Sequence, residues 1–132
     1  MNALNESTKE QKLAIVSALD MISQGTENSI KRDYQVKMIQ KTLREFGLSQ
    51  AEWSTYIQAL NPESFQKVMM SLSPMENEFY LAYIFELLHQ NGSPNHREES
   101  VAKNACQNIC GISNSQFDKT MQKFQNMGNA FM

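Results

Sequence analysis

Cysteine, proline and glycine are scarce in this sequence, which has two, three and five of them among its 132 residues. Two cysteines are too few for a disulfide scaffold in a chain of this length. No apolar run approaches the ~18 residues that a membrane span needs. The polar residues 1–12 lack the continuous apolar stretch of a secretory signal. These absences predict a soluble cytoplasmic protein with reduced thiols and no membrane span. The opening Met1, with no tag or linker, leads us to expect a complete protein.

The sequence also has no excess of basic residues. Twelve Lys and Arg against fourteen Asp and Glu give a net charge of -2, which is not the electrostatic footprint of a general nucleic-acid binder. The hydrophobic fraction of 41% and the charged fraction of 20% exclude disorder and fibrous repeats. Since the length is that of one domain, we expect a single domain over residues 1–132, with frayed ends at 1–7 and 126–132.

Apolar residues at three- and four-residue spacing occur along the whole chain, without the alternation typical of strands. This pattern predicts an all-α fold, a compact bundle of about seven helices. Helices are predicted over about residues 8–24, 30–46, 49–60 and 95–110, and three more begin after Asn61, Ser73 and Ser113. Ser7 with Glu10, and Ser49 with Glu52, are predicted capping pairs, Asn61 and Ser73 are caps followed by proline, and Gly25 and Gly47 are predicted helix stops.

The same spacing predicts which face of each helix is buried. In the fifth helix the apolar residues run nearly all the way round, which predicts a central helix. The buried faces predicted for the first three helices are Ile15, Ala18, Leu19 and Ile22; Val36, Ile39, Leu43 and Phe46; and Trp53, Tyr56, Ile57 and Leu60.

Two parts of the chain repeat one pattern of helix, loop, helix, glycine turn and short helix. The glycine turns at 47–49 and 111–113 are each followed four residues later by an aromatic residue. Upstream, Gly25 matches Gly92. The two offsets are 64 and 67 residues, so the copies differ by a three-residue deletion. We therefore predict two related helix-loop-helix halves around the central helix.

Glu86 and His89 form a Glu-x-x-His pair, the unit with which helices of di-iron bundles hold metal. The second pair and the two further inward glutamates of such a site are missing. Cys106 and Cys110, with His89 and His96, could hold zinc, but a four-residue spacing inside a helix is typical of buried small hydrophobes. A nucleophilic thiol would need a positioned base and an electropositive setting, which the sequence does not show.

A helix-turn-helix DNA-binding protein is a further alternative. Lys37, Lys41 and Arg44 form a basic stripe on the second helix. The recognition helix of such a motif would be residues 49–60, which carry Glu52 and no Lys or Arg, whereas contacts with phosphates and bases rely on such side chains. We therefore expect no nucleic-acid partner.

The duplicated pattern resembles the tellurite-resistance TerB-like helical domains over about residues 13–124. Four segments carry the resemblance, residues 23–29 (SQGTENS), 43–49 (LREFGLS), 72–76 (LSPME) and 87–92 (LLHQNG). The resemblance implies an all-helical domain that is not an enzyme and is linked to stress or phage-defence systems.

In such domains Asp-Gly at the helix ends contributes to an acidic, cation-binding patch. The corresponding residues here are Gln-Gly at 24–25 and Asn-Gly at 91–92, and a neutral amide lacks the charge that holds a hard cation. Asp20 and Glu86 match each other at an offset of 66 residues and are the candidate metal ligands that are left. With His89 they define the metal-binding alternative, either an ion-binding protein or a small metalloenzyme.

The leading hypothesis is a non-catalytic TerB-like protein, a cytoplasmic protein-interaction or stress-response module without catalytic residues or a cofactor. Its partner is a protein that the sequence does not identify, and self-association into a homo-oligomer is an open alternative.

Overall fold

Seven helices and no strand make up the part of the chain that the computed structural model describes, residues 7–130, with side chains described up to Met127. The all-α prediction and the number of helices are confirmed. The helices are α1 (Lys9–Ser23), α2 (Ser29–Glu45), α3 (Gln50–Gln58), α4 (Pro62–Met70), α5 (Pro74–Leu88), α6 (His96–Cys110) and α7 (Asn114–Ala130).

Side-chain caps fix most of the helix starts, and three of the predicted caps are confirmed. Ser49 forms a capping box with Glu52 at the start of α3, while Asn61 and Ser73 cap α4 and α5 with proline following. Each box pairs two backbone N–H groups that would otherwise lack a partner.

The capping pair predicted at Ser7 and Glu10 is wrong. The cap of α1 is Thr8, whose Oγ1 accepts a hydrogen bond from the Gln11 backbone N at 3.0 Å. Ser7 instead donates its hydroxyl to the Glu76 carboxylate in the first turn of α5. Two capping patterns overlap at this helix start. The structure uses the one of Thr8 and Gln11, while Ser7 makes a tertiary hydrogen bond instead.

Two glycine turns end helices with a left-handed residue, at Gly47 (φ 75°) and Gly111 (φ 69°). The prediction for Gly47 is confirmed, because the Leu48 N–H reaches back to the Leu43 carbonyl at 3.1 Å and closes a Schellman motif. At the second turn the Ile112 N–H reaches one residue further, to the Cys106 carbonyl at 3.1 Å. The two turns share a backbone conformation but differ in their hydrogen bonds.

The core forms around α1, which packs against α2, α3, α4, α5 and α6. Residues 13–19 are all buried, and the predicted inner face of α1 is confirmed. Helix α5 packs against α1, α2, α6 and α7, and it leaves Met75 and Phe79 exposed. The central position of α5 and the duplicated halves stay predictions.

The inner face of α2 is more polar than predicted. Ile39, Leu43 and Phe46 are buried as predicted, but Val36 is exposed. Lys31 and Gln35 occupy the inner face instead, because their polar ends find partners on α6 and α5. Each of these two buried side chains makes at least one hydrogen bond to a neighbouring helix, which offsets part of the cost of burying it.

Helix α3 is less buried than predicted. Trp53, Tyr56 and Leu60 pack half-buried against the core, and Ile57 is exposed. The helix is short and lies on the surface of α1, so only one edge of it reaches the core. Trp53 fixes that edge through its indole N–H, which donates to the Ser17 hydroxyl at 3.0 Å.

The C-terminal helix is longer than predicted. Fraying was expected from residue 126, but α7 continues to Ala130. Residues 1–6 and 131–132, which include the rest of the predicted frayed ends, lie outside the described residues.

Gly25 sits in a close contact between the end of α1 and α6. A Cβ at this position would lie 2.9 Å and 3.1 Å from the two methyl carbons of Val101. We expect Gly25→Ala to lower the free energy of unfolding by about 1–3 kcal/mol, the usual cost of overpacking. In a Val101→Ala background the loss should be much smaller, because of the three close contacts only the Ile22 carbonyl oxygen, at 3.3 Å, would remain near the new Cβ. Urea unfolding of the unchanged protein, the two single variants and the double variant measures the free energies of unfolding. An equal loss from Gly25→Ala in both backgrounds would contradict this expectation.

Candidate binding cleft between α5 and α7

A cleft of about 320 Å³ opens between the C-terminal half of α5, the loop to α6, the first turn of α6 and one face of α7. We call it the α5–α7 cleft. Its lining residues are Phe85, Leu88, His89, Pro94, Glu99, Phe117, Asp118, Met121, Gln122 and Gln125.

Aromatic packing and an ion pair hold α7 against α5. The rings of Phe85 and Phe124 lie 5.7 Å apart between centroids, and Lys123 of α7 pairs with Glu78 of α5. The start of α7 is fixed by Ser113, whose Oγ accepts a hydrogen bond from the Gln116 N–H at 3.1 Å. The aromatic contact and the ion pair therefore hold α7 against α5, and the cap fixes where α7 begins.

The floor of the cleft is apolar. Leu88 and Phe117 are buried, whereas Phe85 and Met121 are half-buried and leave part of their surface open. Met121 is a flexible thioether that adapts its shape to a neighbouring group. A ligand that reaches the floor of the cleft contacts aromatic and thioether surface.

His89 forms one side of the cleft and has a fixed orientation. Its Nδ1 lies 2.8 Å from the Phe85 carbonyl oxygen, and its ring lies over the Phe85 ring at 4.1 Å between centroids. Because a carbonyl oxygen only accepts, Nδ1 carries the hydrogen. In the neutral imidazole Nε2 is therefore the acceptor, and it can accept a hydrogen bond from a ligand.

Carboxylates and amides form the rim. Glu99 is exposed in the first turn of α6, and Asp118 on α7 pairs with Lys103 at 2.8 Å. Gln122 donates its amide to Asn126 one helical turn further on, at 3.0 Å. The rim thus offers negative charge at Glu99 and neutral hydrogen-bonding groups on α7.

A buried ion pair holds the loop that forms the third side. Lys31 of α2 donates from Nζ to the Glu98 carboxylate at 3.2 Å and to the Ser93 carbonyl at 3.3 Å. Both charged side chains are less than a tenth exposed. Glu98 also accepts the Asn95 backbone N–H at 2.8 Å as part of the capping box of α6. These contacts place Pro94, in the same loop, against the cleft.

Only part of this arrangement can be recognised in the amino-acid sequence. The Asn-x-x-Glu pattern at Asn95 and Glu98 is readable as a capping box. Burial of Lys31 has no such signal, because lysine is almost never fully buried unless it is paired.

The two predicted metal ligands have different surroundings. Asp20 lines a depression against α3 with Trp53 and Ile57, and its carboxylate accepts the Gln24 amide at 3.1 Å. Glu86 is exposed on α5. Within residues 7–130, no group of three or more His, Cys, Asp and Glu side chains is arranged to hold a metal ion. The metal site at Asp20 and Glu86 stays a prediction, and neither residue lines the α5–α7 cleft; His89, the third residue of the metal-binding alternative, does.

The two cysteines are free and buried, as the sequence predicts for small hydrophobes. Burial raises the pKa of the Cys110 thiol to about 12 and raises the pKa of Cys106 as well. The reactive thiolate form is therefore scarce at neutral pH. Tyr80 lies fully buried beside them, and burial raises the pKa of its hydroxyl too.

The basic stripe of the helix-turn-helix alternative is exposed on α2, at Lys37, Lys41 and Arg44. Helix α3, which would be the recognition helix, carries no basic residue and packs on α1. The basic residues and the candidate recognition helix are thus on different elements, and the expectation of no nucleic-acid partner stays a prediction.

Comparison of the chain with family models, curated proteins and solved structures returns no match. No helix among the described residues has both the length and the apolar character to cross a membrane. The geometry of the cleft is therefore the basis for assigning a function.

Proposed function

We propose that the chain is a non-catalytic, TerB-like interaction module of the cytoplasm that binds a protein partner through the α5–α7 cleft. The observation that carries this proposal is the combination of an open apolar floor with a carboxylate on the rim. The resemblance to TerB-like domains implies that this partner acts in a stress response.

The size of the cleft favours a peptide segment as its ligand. Its volume of about 320 Å³ lies at the small end of the ~300–1,000 Å³ typical of ligand pockets. One or two side chains of a partner fill such a space. Phe85, Phe117 and Met121 suit an aliphatic or aromatic side chain, and Glu99 suits a Lys or Arg beside it.

A binding role also suits the chemistry of the site. The Nδ1 of His89 is held by a backbone carbonyl, and the amides on α7 are neutral. Such groups orient a ligand by hydrogen bonds. The thiols of Cys106 and Cys110 would be the strongest nucleophiles of the chain, but both lie in the core, and burial raises their pKa values. This favours a binding role over a catalytic one.

Selection of peptides from a displayed random library on the immobilised protein tests the proposal. We expect the enriched peptides to share an apolar residue next to Lys or Arg. Glu99→Lys should weaken binding of the best peptide by about tenfold or more, which corresponds to about 1.4 kcal/mol. Fluorescence anisotropy with the labelled peptide measures the change.

Glu63→Lys is the matched control, because Glu63 is also an exposed glutamate in the first turn of a helix. It changes the net charge by the same amount, also near a helix N-terminus, but lies outside the cleft. Gln122→Trp adds a bulky side chain on the cleft wall and should also reduce binding. The proposal fails if the selected peptides share no such pattern, or if binding is unchanged in both Glu99→Lys and Gln122→Trp.

A further inference from the structure

The outer face of α2 carries a second, separate surface that the α5–α7 cleft does not use. Five exposed residues lie on it at spacings of four, three, four and three: Ile30, Tyr34, Lys37, Lys41 and Arg44. We call them the α2 stripe. Alternating spacings of three and four are those of a helix that packs against another helix.

The stripe points away from the core. Ile30 is 62% exposed and Tyr34 is 47% exposed, while Gln35 and Ile39 on the opposite side are buried. From its first to its last residue the stripe extends over about 21 Å at 1.5 Å per residue. This is the length of four turns, enough for a partner helix of ordinary size.

The stripe is divided into an apolar end and a cationic end. Ile30 and Tyr34 form the N-terminal part, and the three basic residues follow without interruption along the stripe. Lys37 places its ammonium 5.7 Å from the centre of the Tyr34 ring, which joins the two parts. Asp33 and Glu45 are the acidic residues of α2, and they lie at the side of the apolar end and at the C-terminus.

The cationic end contrasts with the charge of the whole protein. The net charge is -2, yet the successive charged residues of the stripe, Lys37, Lys41 and Arg44, are all positive. None of the three has an ion pair among the described residues. An exposed row of unpaired cations beside apolar side chains fits a partner with acidic and apolar residues at the matching spacing.

We propose that the α2 stripe docks an acidic amphipathic helix of a partner protein, antiparallel to α2. The N-terminal half of that helix carries Glu or Asp against Lys37, Lys41 and Arg44, and its C-terminal half carries Leu or Ile against the apolar end. Acidic residues near a helix N-terminus are favourable in themselves, and antiparallel helix dipoles attract each other. The stripe is therefore complementary to a helix that is stable in this orientation.

A helix fits better than a membrane or a nucleic acid. An amphipathic helix that lies in a bilayer needs a broad apolar face, and the stripe offers two apolar residues. Affinity for duplex DNA depends on many neutralised phosphates, whereas the stripe offers three cations on an acidic protein.

The probe is a fluorescein-labelled helical peptide of 18 residues. It carries three Glu in its N-terminal half and two Leu in its C-terminal half, and these five residues follow the three- and four-residue spacings of the α2 stripe. A second peptide has the same composition with those residues moved off one face. We expect fluorescence anisotropy to show micromolar binding of the first peptide at low salt, at least tenfold weaker binding of the second, and weakening of both with added salt.

Lys37→Glu with Lys41→Glu should weaken binding of the first peptide by at least tenfold. Lys67→Glu with Lys119→Glu is the matched control, since it changes the net charge equally at exposed positions on α4 and α7; we expect a change of no more than twofold. Ile30→Ala with Tyr34→Ala should weaken binding severalfold. Circular dichroism confirms that each variant is folded.

Equal loss in the two lysine pairs, or equal binding of the two peptides, would overturn the proposal, because each would show an effect of overall charge. Tighter binding to phosphatidylserine vesicles or to duplex DNA than to the first peptide would overturn it as well. The Glu99→Lys variant should bind the first peptide like the unchanged protein, so failure at the α5–α7 cleft and failure at the α2 stripe are distinguishable.

Discussion

Lys31→Met is expected to lower the free energy of unfolding by about 3–5 kcal/mol, because it leaves the Glu98 carboxylate buried without its cation. The pair lies at 3.2 Å with both side chains buried. The substitution also removes the hydrogen bond from Nζ to the Ser93 carbonyl. Chemical unfolding in urea, followed by circular dichroism, measures the loss.

Two further proteins show whether the ion pair is the cause. Lys37→Met makes the same substitution at an exposed position of α2, and its effect should stay within about 0.5 kcal/mol. Lys31→Met combined with Glu98→Gln should be more stable than Lys31→Met alone, because the amide keeps an oxygen for the Asn95 N–H without a buried charge. A strictly additive loss in the double variant would contradict this account.

Gln35→Glu is expected to lower the free energy of unfolding by about 3–6 kcal/mol at pH 7. Gln35 is fully buried and donates from Nε2 to the Leu87 carbonyl at 3.1 Å, while its Oε1 has no hydrogen-bond partner among the described residues. A carboxylate has nearly the same shape but cannot donate. The folded state would therefore hold an unpaired charge, and a buried Glu has a pKa raised by up to several units, at about 1.36 kcal/mol each.

The loss should depend on pH in a defined direction. The unfolded chain releases the proton near the ordinary Glu value of about 4.3, and the folded chain keeps it to a higher pH. At pH 4 the protonated carboxyl can still donate to the Leu87 carbonyl, so the loss should fall to about 1 kcal/mol. It should grow as the pH rises through the interval between the two pKa values. Gln40→Glu, exposed on the same helix, is the control, and an equal loss for Gln35→Glu at pH 4 and pH 7 would contradict the argument.

Most of the fold was predictable from local patterns. Apolar spacing located the helices, and short-range hydrogen bonds at Ser49, Asn61 and Ser73 set their starts, because a capping residue needs only partners within its own first turn. Thr8 shows the limit of such patterns. Its box with Gln11 overlaps the Ser7 pattern, and the contact of Ser7 with Glu76, 69 residues away, lies beyond any local pattern.

The candidate site was much less predictable. No local signal in the sequence brings α7 to α5 with His89, Glu99 and Met121 around one cleft. The error at Val36 has the same origin. Lysine and glutamine are expected on the surface, and the partners of Lys31 and Gln35 on other helices explain why α2 buries these two side chains.

The hydrogen bonds from Lys31 to the backbone of the loop between α5 and α6 have a consequence for binding. The Gly92 and Ser93 carbonyls are held at 3.5 Å and 3.3 Å from Nζ, directly before Pro94 on the cleft wall. A loop that is ordered only by its ligand loses conformational entropy at the moment of association, and the affinity falls accordingly. Here the wall is already ordered in the free protein, so the α5–α7 cleft is preorganised for its partner.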